Sequence, residues 1–128
     1  MLNAQILAGY RRDLTPLNPD ANIGSIKIAG AWRASSIVAG VADSTGDGFG
    51  VNDVLIPGDT TPELLSRIAS ITIAGAATGN ASAGDHFGIV AQQIGRLIAG
   101  GNSLRFTTHP DDFLIDSLNN NFRAIDFA

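Results

Sequence analysis

The chain has 128 residues, of which 45% are hydrophobic and only 16% charged. That balance suits one folded domain and excludes a disordered segment. Its net charge of −4 argues against nucleic acid as a partner, and without cysteine it has neither a disulfide framework nor a thiolate metal site. No apolar run reaches membrane-spanning length, and the opening Met1-Leu2-Asn3-Ala4-Gln5 does not read as a signal peptide. If the parent protein is exported, this chain is expected to be a fragment or C-terminal module of it.

In chain order, residues 6–10 (Ile-Leu-Ala-Gly-Tyr) open the first strand-like phrase. It returns at 37–41 (Ile-Val-Ala-Gly-Val), at 89–91 (Ile-Val-Ala) and most weakly at Leu114-Ile115. A second phrase starts at 23–30 (Ile-Gly-Ser-Ile-Lys-Ile-Ala-Gly). It recurs at 68–75 (Ile-Ala-Ser-Ile-Thr-Ile-Ala-Gly), at 94–100 (Ile-Gly-Arg-Leu-Ile-Ala-Gly) and at 122–127 (Phe-Arg-Ala-Ile-Asp-Phe). The two phrases alternate four times. In Ile26-Lys27-Ile28 and Ile71-Thr72-Ile73, apolar and polar residues alternate with the period of a strand buried on one face. Leu97-Ile98-Ala99 breaks the pattern and places Ile98 outward. A third strand position falls at 32–34, 76–78 and 104–107.

Repeats of this kind predict stacked coils. The expected fold is all-β: a short parallel β-helix (solenoid) of about four triangular coils, right-handed, forming one domain over residues 1–128. The one helix signal is Thr60-Thr61-Pro62-Glu63-Leu64-Leu65, with a capping residue, an early Pro and a first-turn Glu; it predicts one or two turns.

The connections between phrases are unequal. The first coil spends residues 11–22, the second 42–67 and the third only Gln92-Gln93. Both long loops therefore leave one corner, and insertions in repeat proteins gather on one face that is often the binding face. Four coils also leave two open ends, which predicts either self-association through unpaired strand edges or neighbouring domains of the parent protein.

Two constellations carry candidate chemistry. In the first, Asp43, Thr45 and Asp47 followed by Gly48 match positions 1, 3, 5 and 6 of a calcium loop, with oxygen donors and the glycine that lets the loop turn sharply. The backbone carbonyl of Phe49, with Asn52 and Asp53, would complete a Ca2+ site. Val54 stands where the bidentate acid belongs, and the plainer alternative is a polar turn rich in Asp and Gly. In the second, the histidines lie in Asp85-His86-Phe87 and His109-Pro110-Asp111-Asp112. A coil of 26 residues would set His86 over Asp112. A His beside a carboxylate suits acid–base work, so His86, Asp85, Asp112 and His109 are the residues of an alternative hydrolase reading. No nucleophile motif accompanies them. The structural reading is a corner in which His86 and the acids bond turn backbone and Phe87 stacks with Phe113. Trp32 and Tyr10 are read as cover for a core edge rather than sugar platforms.

Several of these segments together resemble a known kind of domain. They are 23–30, Trp32-Arg33-Ala34-Ser35-Ser36-Ile37-Val38-Ala39-Gly40-Val41, Gly46-Asp47-Gly48-Phe49-Gly50 and Ala83-Gly84-Asp85-His86-Phe87-Gly88. They are similar to a repeat domain of large, mostly uncharacterised bacterial secreted or cell-surface proteins that look like parallel β-helices. The resemblance covers roughly residues 20–128. It implies an extracellular or cell-surface, multidomain setting and an adhesion or scaffold role; the expected function is therefore a non-catalytic module that binds a glycan or another protein or spaces other domains. It brings no catalytic residue with it.

Overall fold

The computed structural model describes residues 1–61, 63–82, 84–107, 109–116, 119 and 121–127. The described residues form strands and turns, with no helix among them. Two larger sheets carry the two repeated phrases. In the first, β1 (Gln5–Ala8), β4 (Ser36–Ala39), β9 (Phe87–Ala91) and β14 (Phe122–Asp126) run parallel in that order, and β13 (Asp111–Leu114) adds on antiparallel. Like residues meet in register: Ile6, Ile37, Ile89 and Ala124 form one row, and Leu7, Val38, Val90 and Ile125 the next.

In the second sheet, β2 (Ile23–Ile28), β7 (Arg67–Ile73) and β11 (Leu97–Ala99) are parallel, and β10 (Gln93–Ile94) pairs with the start of β7. Ile26, Ile71 and Leu97 share a row, as do Lys27, Thr72 and Ile98. A short third row pairs β3 (Trp32–Arg33) with β8 (Ala77–Thr78).

The side-chain pattern explains the layering. The second sheet alternates, so Ile68, Ile71, Ile73 and Leu97 turn inward to meet Ile37, Ile89 and Phe122 in the main core. The first sheet does not alternate. Its Ile-Val-Ala phrase is apolar at every position because both faces are covered. Val38 and Val90 point away from the main core into a second cluster with Val41 and Phe49, closed over by Tyr10 and Phe127. Phe49 comes from the long 42–67 insertion, so that insertion supplies core as well as loop. The two insertions also meet each other: the Thr61 hydroxyl donates to Asp20 Oδ2 at 2.6 Å, and the Arg67 N–H donates to Asn22 Oδ1 at 2.9 Å.

The C-terminal third departs from the expected order. The fourth copy of the second phrase, 122–127, was expected under β11, yet it lies in the first sheet beside β9 as β14. Leu114 belongs to antiparallel β13 rather than to a fourth parallel row. The cause is local. Gly100 and Gly101 both have positive φ, 57° and 84°, which makes a two-residue hairpin turn. The chain therefore returns along β11 as antiparallel β12 (Asn102–Leu104), which takes Leu104 away from the third strand position. At 60–65 the described residues make a single hydrogen-bonded turn, Leu64 N–H to Thr61 C=O at 2.8 Å, rather than a helix; Pro62 lies outside the described residues.

Candidate functional site

The candidate calcium loop is the tip of a hairpin. β5 (Val41–Asp43) and β6 (Asp53–Leu55) pair antiparallel, which places Asp43 directly opposite Asp53. Within the tip, Asp43 organises the turn. Its Oδ1 accepts the N–H groups of Thr45 (3.1 Å) and Gly46 (2.7 Å), and its Oδ2 accepts that of Gly48 (2.8 Å). The Thr45 hydroxyl bonds the Asp47 carboxylate, and the Ser44 hydroxyl donates to the Asn52 carbonyl at 2.6 Å. Asn52 sits at φ 57°, a left-handed conformation that Asn tolerates better than most residues.

Asp53 Oδ2 accepts the Gly50 N–H at 2.6 Å, while its Oδ1 is buried without a hydrogen-bond partner. Burial pushes the Asp53 carboxyl up to about 7. The Gly50 N–H pulls it down, and the charges of Asp43 and Asp47 add to the rise. Tyr10, edge-to-face with Phe49 at 6.4 Å, donates to the Val41 carbonyl at 2.6 Å. Burial, then Asp53 and Asp43, raise its hydroxyl to about 12.

The fit to calcium is partial. Asp43, Thr45, Asp47 and Asp53 bring oxygens to one hairpin tip, and Asp53 has one oxygen to spare. Both Asp43 oxygens, however, are engaged by backbone N–H groups. The Phe49 side chain anchors the loop in the second core. Among the described residues, no three His, Cys, Asp or Glu side chains gather as a metal-ligand group.

The fold joins this loop to one of the histidines. Gly48 forms a parallel bridge with His86, the His86 N–H donates to the Asp47 carbonyl at 3.1 Å, and His86 Nε2 lies 3.7 Å from Asp47 Oδ2. Glycine is required at 48: its φ is +99°, and a Cβ there would run into the His86 carbonyl. His86 Nδ1 is buried without a hydrogen-bond partner. Beside it, Asp85 Oδ2 accepts from Asn80 Nδ2 at 2.9 Å, and Asn121 Nδ2 holds the Asn80 carbonyl at 2.9 Å. Asp47, His86, Asp85 and Asn80 form one wall of a cleft of about 830 Å³, whose other walls include Asn3, Gln5 and Ser36.

The remaining histidine-site residues lie elsewhere. Asp112 accepts from Arg123 Nη1 at 2.9 Å and sits opposite Ile125, which lies beside Val90. It is therefore displaced along the strands from His86, which precedes β9. The 26-residue spacing is not a coil translation here because β13 runs antiparallel. His109 lies in the turn before β13, its N–H on the Thr107 hydroxyl at 3.2 Å. Phe113 packs edge-to-face on Phe106 at 5.3 Å rather than stacking with Phe87. Trp32 is fully buried, with Nε1 donating to the Ser35 carbonyl at 3.0 Å, so it is core.

Asn3 and Gln5 were not singled out as site residues by sequence reasoning, because they belong to no motif and meet the others only through the strand register. No family model, curated protein or solved structure matches the chain.

Proposed function

We propose that the chain is a non-catalytic binding and scaffolding module of a bacterial secreted or cell-surface protein. In this reading it is a short right-handed β-solenoid of about four coils whose polar cleft takes a hydroxyl-rich ligand, a glycan. The observation that carries the ligand class is the cleft itself. Its volume of about 830 Å³ lies within the usual range for ligand pockets. Asp47 and Asp85 offer acceptors, while Asn3 and Gln5 offer both donors and acceptors, the mixture that sugar hydroxyls require. Half-buried Phe87 adds an apolar patch to the lining, against which a sugar ring can lay its C–H face. The solenoid reading is supported by the matched rows in successive parallel strands and by two insertions that meet at one corner.

Calcium enters this reading as a stabiliser of the 43–53 loop. Asp43, Thr45, Asp47, Asn52, Asp53 and the Phe49 carbonyl would hold it, and the ion would neutralise the facing Asp43 and Asp53 carboxylates.

Titration with a panel of oligosaccharides tests the proposal. Gln5 and Asp85 are exposed, so Gln5→Ala and Asp85→Ala should each weaken binding about tenfold, the worth of roughly one hydrogen bond, with the melting temperature kept. Unchanged affinity in both variants would remove the cleft as the site. A small hydrolase is the second reading, favoured by the Asp47–His86 pair inside the cleft. It predicts that the chain releases product from the same oligosaccharides and that His86→Ala abolishes release while the fold persists.

A further inference from the structure

The polar cleft has carboxylates and no fixed positive charge. Its ionisable lining residues are Asp47, Asp85 and His86, and among the described residues no Lys or Arg lines it. Among the described residues, neither carboxylate forms an ion pair with a Lys or Arg, whereas Asp112 is paired with Arg123. The Asp47 carboxylate meets the Thr45 hydroxyl and lies 3.7 Å from His86 Nε2. Asp85 Oδ2 accepts from the neutral Asn80 amide. Behind Asp47, the same hairpin tip carries Asp43 opposite Asp53. A concave wall focuses a field of one sign, so the cleft attracts positive charge and repels negative charge.

Asp85 is exposed, yet it is held from behind. Asn121 is only 6% exposed. Its Nδ2 donates to the Asn80 carbonyl at 2.9 Å and to Asn80 Oδ1 at 3.0 Å, and Asn80 Nδ2 donates in turn to Asp85. The Asn121 carbonyl also accepts the Phe87 N–H at 2.8 Å. The chain leaves room for this amide: a Cβ at Gly79 would run into Asn121 Oδ1. One buried side chain thus supports Asn80, Asp85 and Phe87, all of which line the cleft. A carboxylate already fixed by its neighbours loses little rotamer freedom when it takes a ligand.

From this we infer that the cleft selects a glycan carrying a free primary amine, an unacetylated hexosamine, with Asp85 as the partner of its ammonium group. The inference rests on the glycan-cleft reading above and narrows it to one class of sugar. An ammonium brings three donors and a positive charge to a wall of carboxylates. An N-acetyl group brings one donor and no charge, and a uronate brings a like charge that the cleft has no cation to meet. Ammonium to carboxylate is a charge-assisted hydrogen bond, about twice as strong as a neutral one. Asn3 and Gln5 favour a sugar over a lysine side chain, because their amides can meet ring hydroxyls that lysine lacks.

Calorimetric titration of the full chain in chelator at pH 7 tests it, with trisaccharides of glucosamine, of N-acetylglucosamine and of galacturonic acid. The glucosamine form should bind about tenfold more tightly than the acetylated form, and the uronate most weakly. Salt should shrink the gap between the first two. Asp85→Asn keeps the shape and removes the charge, so it should erase that gap and leave the affinity for the acetylated sugar about the same. Asn121→Ala frees Asp85 without touching the ligand and should narrow the gap. In the Asp85→Asn background it should change nothing further, which a general loosening of the fold would not explain. Circular dichroism should be the same for all variants.

Equal binding of the glucosamine and acetylated trisaccharides overturns this inference and leaves the glycan reading standing. So does a preference for glucosamine that survives Asp85→Asn, or trilysine binding as tightly as the glucosamine trisaccharide. Binding of none of the sugars by the folded chain overturns both.

Discussion

Replacing Asp53 with Asn removes the most strongly perturbed carboxyl of the candidate loop. Burial holds that carboxyl near 7, against an ordinary value of 3.8. The folded state therefore binds this proton more tightly than the unfolded chain does. Its contribution to stability is complete below about pH 4 and is lost as the pH climbs through about 7. Each tenfold difference in proton affinity is worth about 1.4 kcal/mol, so the roughly thousandfold difference here sets a ceiling of about 4 kcal/mol. The side chain is partly open to solvent, and screening reduces the expected effect to about 1–2 kcal/mol.

An Asn keeps the acceptor for the Gly50 N–H and cannot ionise. Asp53→Asn should therefore stabilise the protein at pH 8 by that amount, change little at pH 4, and flatten the profile between. Urea unfolding followed by circular dichroism, in chelator across pH 4 to 8, measures this. An Asn variant less stable than wild type at pH 8, or a wild type that gains stability from pH 4 to 7 through this group, would refute the reasoning.

Two further outcomes follow from packing and from the loop. Ile71→Ala empties a fully buried position and should cost about 3–4 kcal/mol, whereas Ile26→Ala, in the same row but half open, should cost about half as much. Both are read from urea midpoints, and equal losses would show that the first row is covered. If calcium binds the 43–53 loop, calcium at a hundred times its dissociation constant adds about 2.7 kcal/mol, a rise of roughly 10 °C in melting temperature. Asp47→Ala should remove the rise; the same melting temperature in calcium and in chelator takes the ion out of the loop.

Much of the strand layout was readable from local pattern. The two Ile-rich phrases mark the strands of both larger sheets because a side chain every second residue, or at every residue when both faces are covered, is a property of short stretches of chain. The Asp43-to-Asp47 spacing likewise marks a turn in which one carboxylate gathers successive N–H groups. The third copy of the second phrase misled because it ends like the others in glycine. Gly30 and Gly75 are followed by alanine and the chain moves on, whereas Gly100 is followed by Gly101, and two adjacent residues able to take positive φ make a hairpin. That signal was present, but the repeat masked it.

The cleft was not readable. Asp47 and His86 are 39 positions apart and come together only because β9 and the 42–67 insertion share an edge at Gly48. Asp112, matched to His86 by spacing, is carried away by an antiparallel strand. The amino-acid sequence by itself determined that this chain is mainly strand and turn, with apolar phrases that must stack and a polar Asp- and Gly-rich turn at 43–53, since propensity, periodicity and turn chemistry act over a few residues. Only the tertiary structure decided which histidine meets which carboxylate and which sheet takes the last strand. Those are properties of register and chain direction, set by packing across tens of residues.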